Sequence, residues 1–141
     1  MHSKKILIVE DHPDCREFLK LILSRSGYLV AIAGTGLEAM EMATMTNPDL
    51  IVMDFGLPDI TGDKVISCLK ADPITKRIPV ITTTGYMTAE VRKRVLAAGA
   101  ATVLLKPYHI DELVDRIEEC LSSDSEALSE KSGTVSHQLT A

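Results

Sequence analysis

Five short apolar runs recur along this chain, each followed by a stretch with apolar residues at helical spacing. That alternation restricts the fold more than any other feature. Ile6-Leu7-Ile8-Val9 is unbroken and rich in β-branched side chains. A strand buried on one face alternates apolar and polar, whereas one buried on both faces reads as a continuous apolar run. Residues 28–33, 50–53, 79–84 and 101–105 give four more runs, the second being the softest. After the first run, Cys15, Phe18, Leu19, Ile22 and Leu23 repeat at helical spacing. Pro13 suits the first turn of that helix and Gly27 its stop. Residues 36–46 form an Ala- and Met-rich helix closed by Asn47-Pro48, and Val65, Cys68 and Leu69 form a short stripe ended by Asp72-Pro73. Val91, Val95 and Ala98 mark a fourth helix stopped by Gly99. Ile110, Leu113, Val114, Ile117 and Leu121 mark a fifth. Strands alternating with helices predict an α/β fold in which helices cover both faces of a parallel sheet.

A length of 141 residues allows one domain with a short appendage. Fifteen Lys and Arg against twenty Asp and Glu leave a net charge of −5. This argues against direct nucleic-acid binding, which needs a basic face to neutralise phosphates. No apolar run approaches the roughly 18 residues that span a bilayer, and the first run ends in acids, unlike a signal peptide. Cys15, Cys68 and Cys120 are odd in number and widely spaced, so they form no metal pair and no disulfide framework. The chain reads as cytoplasmic, and each cysteine as a small buried apolar residue. Beyond Leu121 the pattern fades: residues 123–141 hold seven Ser or Thr and no sustained apolar period. The expected organisation is a domain over residues 1–122 and a flexible tail or linker start over 123–141.

Chemistry gathers where the strands end. In an open α/β sheet, ligands bind beyond the carboxyl ends of the strands, near the point where strand order reverses. Glu10 and Asp11 follow the first run, Asp54 closes the third, Thr84 the fourth, and Lys106 follows the fifth. Three adjacent carboxylates repel one another unless a cation sits among them. An all-oxygen donor set suits a hard ion, Mg²⁺ above all. A carboxylate beside such an ion and a lysine can attack phosphorus while the positive charges neutralise the transferring group.

With these residues in view, the sequence resembles the receiver domain of two-component response regulators, the chemotaxis-regulator type included. The resemblance rests on Ile6-Leu7-Ile8-Val9-Glu10-Asp11, Ile51-Val52-Met53-Asp54-Phe55-Gly56-Leu57-Pro58, Ile78-Pro79-Val80-Ile81-Thr82-Thr83-Thr84-Gly85 and Leu105-Lys106-Pro107, in that order, within residues 4–122. It implies a flavodoxin-like, doubly wound sheet of five parallel strands, order 2-1-3-4-5, with five helices. It implies that Asp54 accepts a phosphoryl group from a phosphohistidine on a histidine kinase or histidine phosphotransfer protein. Asp11, Asp54 and the Gly56 carbonyl would bind Mg²⁺, with Glu10 assisting through water. Lys106 would pair with phosphoryl oxygens, the bond before Pro107 would be cis, and Thr84 would move towards the phosphate. Alignment to Pro79 selects Thr84 for that role, with Thr83 as the alternative. The implied output is a conformational switch that turns over no external substrate, docks an effector through the surface of the fourth helix, fifth strand and fifth helix, and forms a homodimer on phosphorylation.

The chain departs from the family pattern at several positions. Val103 stands three residues before Lys106, where many receivers carry Tyr or Phe, so an aromatic rotamer switch cannot operate there. Gly85 replaces a common Ala, which loosens the loop after Thr84. Gly56 and Tyr86 flank the expected path of the hydrolytic water: Gly56 cannot orient it, and Tyr86 is placed to shield the acyl phosphate. Competing readings are weaker. A phosphatase of the haloacid dehalogenase type would need an acid at position 56. A flavodoxin would need a phosphate loop where Glu10-Asp11 would repel the flavin phosphate. A docking-only receiver would not need the intact acid, Thr and Lys set.

Overall fold

The computed structural model describes the backbone of residues 3–132 and side-chain surroundings through residue 122. The elements alternate as the apolar runs require: β1 (Lys5–Val9), α1 (Pro13–Arg25), β2 (Leu29–Ala33), α2 (Gly36–Thr46), β3 (Leu50–Asp54), α3 (Gly62–Ala71), β4 (Val80–Thr84), α4 (Ala89–Ala98), β5 (Thr102–Leu105) and α5 (Ile110–Ser132). All strand pairs are parallel, in the order β2-β1-β3-β4-β5. The order reverses between β1 and β3, which places the switch point at the ends of those strands.

The central strands are buried on both faces, so each feeds two cores. Leu7, Val9, Ile51, Met53 and Val80 pack with Ala39 and Ala43 of α2 and Val65, Ile66 and Leu69 of α3. Ile6, Ile8, Leu50, Val52 and Ile81 face the other way, onto Leu19 and Leu23 of α1 and Leu113 and Ile117 of α5. Each fully buried Leu or Ile contributes roughly 1.5–3 kcal/mol. Truncating a fully buried strand residue such as Ile8 to alanine is worth roughly 2–5 kcal/mol of destabilisation.

Local signals set the helix ends. Thr35 accepts from the Glu38 amide at 3.0 Å, and Glu38 reaches back to the Gly34 amide at 2.7 Å, which satisfies two free N–H groups at the start of α2. Thr88 caps α4 in the same manner, accepting from Val91 N–H. Gly99 ends α4 with φ +118°, a conformation that a side chain disfavours.

One expectation needs correction. Cys15 and Cys68 are exposed and Cys120 is only half-buried, so the cysteines are not buried apolar residues. Cys15 sits in the first turn of α1, beyond the packed part of the helix around Leu19 and Leu23, and lines an open cleft with Phe18 and Tyr108. Cys68 lies beside the buried arc of Val65, Ile66 and Leu69, not within it. Phe18, which repeats in the same helical stripe, is 54% exposed. The backbone of α5 is helical through Ser132, into the segment the composition reads as a tail or linker start. The rest of that segment, 133–141, lies outside the described residues.

Candidate phosphoryl-transfer site

The parallel strands deliver their C-terminal residues to one edge of the sheet. β1 runs into Glu10 and Asp11, β3 ends at Asp54, and β5 runs into Lys106, whose amide bonds the Thr84 carbonyl at 2.7 Å. One carboxylate oxygen from each of Glu10, Asp11 and Asp54 lies within 4.8 Å of the others. Lys106 Nζ donates to Glu10 Oε1 at 3.0 Å and stands 3.6 Å from Asp54 Oδ1. Glu10 Oε2 accepts from the His12 amide at 3.2 Å, which fixes the plane of this carboxylate. The bond between Lys106 and Pro107 is cis.

Asp11 is open to solvent, Glu10 is buried, and the Asp54 side chain is 13% exposed. Burial pushes the Asp54 carboxyl above the ordinary aspartate range. Lys106 and the Gly56 amide pull it back, while Glu10 and Asp11 push the same way as burial. Burial opposes the charge on Lys106, yet the hydrogen bond to Glu10 and the charge of Asp54 outweigh it and raise its pKa. Three carboxylates against one ammonium leave a surplus of negative charge. The oxygen-only donor set and that surplus fit a hard divalent cation.

The remaining candidates fall around this group. Thr84 is buried, and both hydrogen bonds of its hydroxyl go to Tyr86: it donates to the carbonyl at 3.2 Å and accepts from the amide at 3.1 Å. Its hydroxyl is therefore committed to the β4–α4 loop. Thr83, also buried, is the register partner of Asp54. Gly85 is exposed, and Tyr86 is 74% exposed. Val103 is buried within β5 and no aromatic ring occupies that position. Gly56 is exposed with open space where a Cβ would be.

Three supporting residues escaped the sequence reading. A Cβ on Gly62 would meet Phe55 Cα at 2.9 Å and the Asp54 carbonyl oxygen at 3.1 Å, so α3 starts pressed against the backbone of Asp54. Asp59, in the loop after Asp54, accepts from the Gly36 and Leu37 amides at 2.8 and 3.0 Å, capping α2 from a distance. Arg16 donates to the Glu10 carbonyl at 3.1 Å. A glycine opening a helix after Thr61 was the one available signal. The other two bind backbone groups through a loop or across a turn and leave no periodic trace.

Comparison with known proteins agrees with this geometry. Residues 6–118 match the response regulator receiver domain family. The polar-differentiation response regulator DivK of Brucella ovis is 31% identical over 119 residues, 84% of this chain and 97% of DivK. A hybrid signal transduction histidine kinase of Dictyostelium discoideum is 34% identical over 118 residues, 83% of this chain but only 8% of that much longer protein. A crystal structure of a response regulator receiver domain protein from Methanospirillum hungatei superposes with a TM-score of 0.83 at 31% identity, covering 89% of this chain and 99% of that one.

Proposed function

Since the chain belongs to the response regulator receiver domain family of two-component signalling, we propose that Asp54 accepts a phosphoryl group and that the acyl phosphate drives a conformational switch. One observation carries this reading: the carboxylates of Glu10, Asp11 and Asp54 converge within 4.8 Å beside the ammonium of Lys106. No ordinary structural role calls for so much unpaired negative charge at one rigid edge.

In the proposed reaction an Asp54 carboxylate oxygen attacks the phosphorus of a phosphohistidine on a histidine kinase or histidine phosphotransfer protein. The P–N bond breaks, and the ring, already protonated at its other nitrogen, leaves as neutral imidazole. Asp11, Asp54 and the Gly56 carbonyl would hold Mg²⁺, with Glu10 acting through water. Bound there, the ion supplies charge neutralisation at the phosphoryl oxygens. Lys106 leaves Glu10 to pair with one phosphoryl oxygen. Thr84 gives up its hydrogen bond to the Tyr86 carbonyl and donates to another. That exchange pulls on residues 84–86, so the switch runs through the backbone of the β4–α4 loop, as a chain with Val103 in place of an aromatic requires. Tyr86 shields the acyl phosphate, and Gly56 offers no side chain to orient water, which together favour a slow self-dephosphorylation. The output is an altered α4-β5-α5 surface that binds an effector protein or a second copy of the chain, in the cytoplasm. Among the described residues no helix is long and apolar enough to cross a membrane.

Intact mass after incubation with Mg²⁺ and a small-molecule phosphodonor tests the reading. A single phosphoryl adduct is expected in the wild type and none in Asp54→Ala or without Mg²⁺. An adduct that survives Asp54→Ala would overturn it.

A further inference from the structure

Building on that reading, we infer that Arg94 is a positioning residue that tethers α4 to the backbone next to Asp54. α4 is lightly held, with Val95 as its one buried residue, whereas α3 buries Gly62, Val65, Ile66 and Leu69. Helices with so little buried surface sit at the low-stability end of a fold and move most readily. Among the described residues, the side-chain hydrogen bonds that leave α4 for another element come from Arg94. Its Nη2 and Nε donate to Asp63 Oδ2 at 2.9 and 3.3 Å. Its guanidinium also stacks over the Phe55 ring, 5.5 Å from the centroid.

Both anchor points belong to the phosphoacceptor's own frame. Phe55 follows Asp54, its amide bonding the Thr83 carbonyl and its carbonyl accepting from Gly62 N–H, each at 2.8 Å. Asp63 follows Gly62, the residue pressed against the Asp54 and Phe55 backbone. A shift at Asp54 therefore reaches Phe55 and Asp63 directly, and Arg94 passes it to α4. The tether also balances charge: the Asp63 side chain is 15% exposed, and Arg94 is its salt-bridge partner at 2.9 Å.

Amide hydrogen exchange of α4, with and without Asp54 phosphorylation, tests the tether. The variants are Arg94→Met, which keeps the aliphatic stem over Phe55, Asp63→Asn, and the two combined. Arg94→Met is expected to speed exchange along α4 about three- to ten-fold, the size of an exposed ion pair and a cation–π stack together. The change in α4 exchange on phosphorylation should shrink in the same variant, and Arg94→Lys should restore part of it. The double variant decides the cause. A tether leaves α4 as loose in the double variant as in Arg94→Met. If Arg94 only neutralises Asp63, removing both charges returns α4 to wild-type exchange and the inference falls. It falls equally if Arg94→Met leaves α4 exchange unchanged while the thermal melt shows an intact domain. Failure of the wild type to take up phosphate would instead count against the phosphoacceptor reading, because exchange in the unmodified protein still reports the tether.

Discussion

Replacing Asp54 by asparagine should make the metal-free protein more stable. The side chain keeps its shape, and its oxygen still accepts the long 3.4 Å bond from the Gly56 amide. Only the charge is lost. At an effective dielectric of about 20, another carboxylate at 4.8 Å repels Asp54 by about 3 kcal/mol. Glu10 is buried and exerts nearly all of that, whereas solvent screens the exposed Asp11 down to a fraction. Lys106 at 3.6 Å returns about 4–5 kcal/mol of attraction, part of it already engaged by Glu10. Desolvation of the Asp54 carboxylate, the largest influence on its pKa, costs several kcal/mol more. The balance is a penalty of about 2 kcal/mol, equivalent to about 5–10 °C in Tm for a domain of this size. Denaturant and thermal melts of both proteins in EDTA and in millimolar Mg²⁺ measure it. Mg²⁺ should stabilise the wild type by mass action and the variant much less, so the gap should narrow or reverse. An asparagine variant less stable than the wild type in EDTA, or a gain that Mg²⁺ does not diminish, would refute the account of the cluster as an electrostatically strained cation site.

Other expectations follow from single features. Thr82 is fully buried on β4 and its hydroxyl has no partner, so Thr82→Val should raise stability by about 1–2 kcal/mol, and an unchanged denaturation midpoint would mean that the hydroxyl is satisfied. Gly62→Ala should be destabilising by about 1–3 kcal/mol and slow Asp54 phosphorylation, because the methyl group has to displace backbone and not a flexible side chain; normal kinetics in a stable variant would contradict this. Burial works against the charge on Asp63, but the Thr61 hydroxyl and the Arg94 guanidinium hold its pKa below the usual range. Its stabilisation is therefore present above the unfolded pKa of about 3.9 and fades as pH falls through the folded value. Wild type and Asp63→Asn should accordingly differ near neutral pH and converge in acid, and a gap that widens in acid would oppose that sign.

The sequence was most legible where a physical requirement leaves a local mark. Strands buried on both faces have to be continuously apolar, so β1 and β3 were visible as Ile6–Val9 and Leu50–Met53. Pro13, Gly99 and the Asn47-Pro48 pair marked helix ends because each fixes a backbone conformation. The acids at strand ends were visible because the carboxyl ends of parallel strands gather at one edge of the sheet, where ligands of such folds bind. Facing was harder to read. Cys15 and Phe18 repeat in phase with Leu19 and Leu23, yet they line an open cleft beside Tyr108 and are exposed.

By itself, then, the sequence determined the class of fold, the order of its elements and the identity of Glu10, Asp11, Asp54 and Lys106 as a group, because periodicity and strand-end position are properties of the chain read in order. Tertiary structure alone decided how those groups are partnered. It set Lys106 between Glu10 and Asp54, engaged the Thr84 hydroxyl with Tyr86, pressed Gly62 onto the Asp54 backbone and joined Arg94 to Phe55 and Asp63. Such contacts link residues separated by up to 96 positions. They depend on distances of a few ångströms between elements, which no local pattern along the chain encodes.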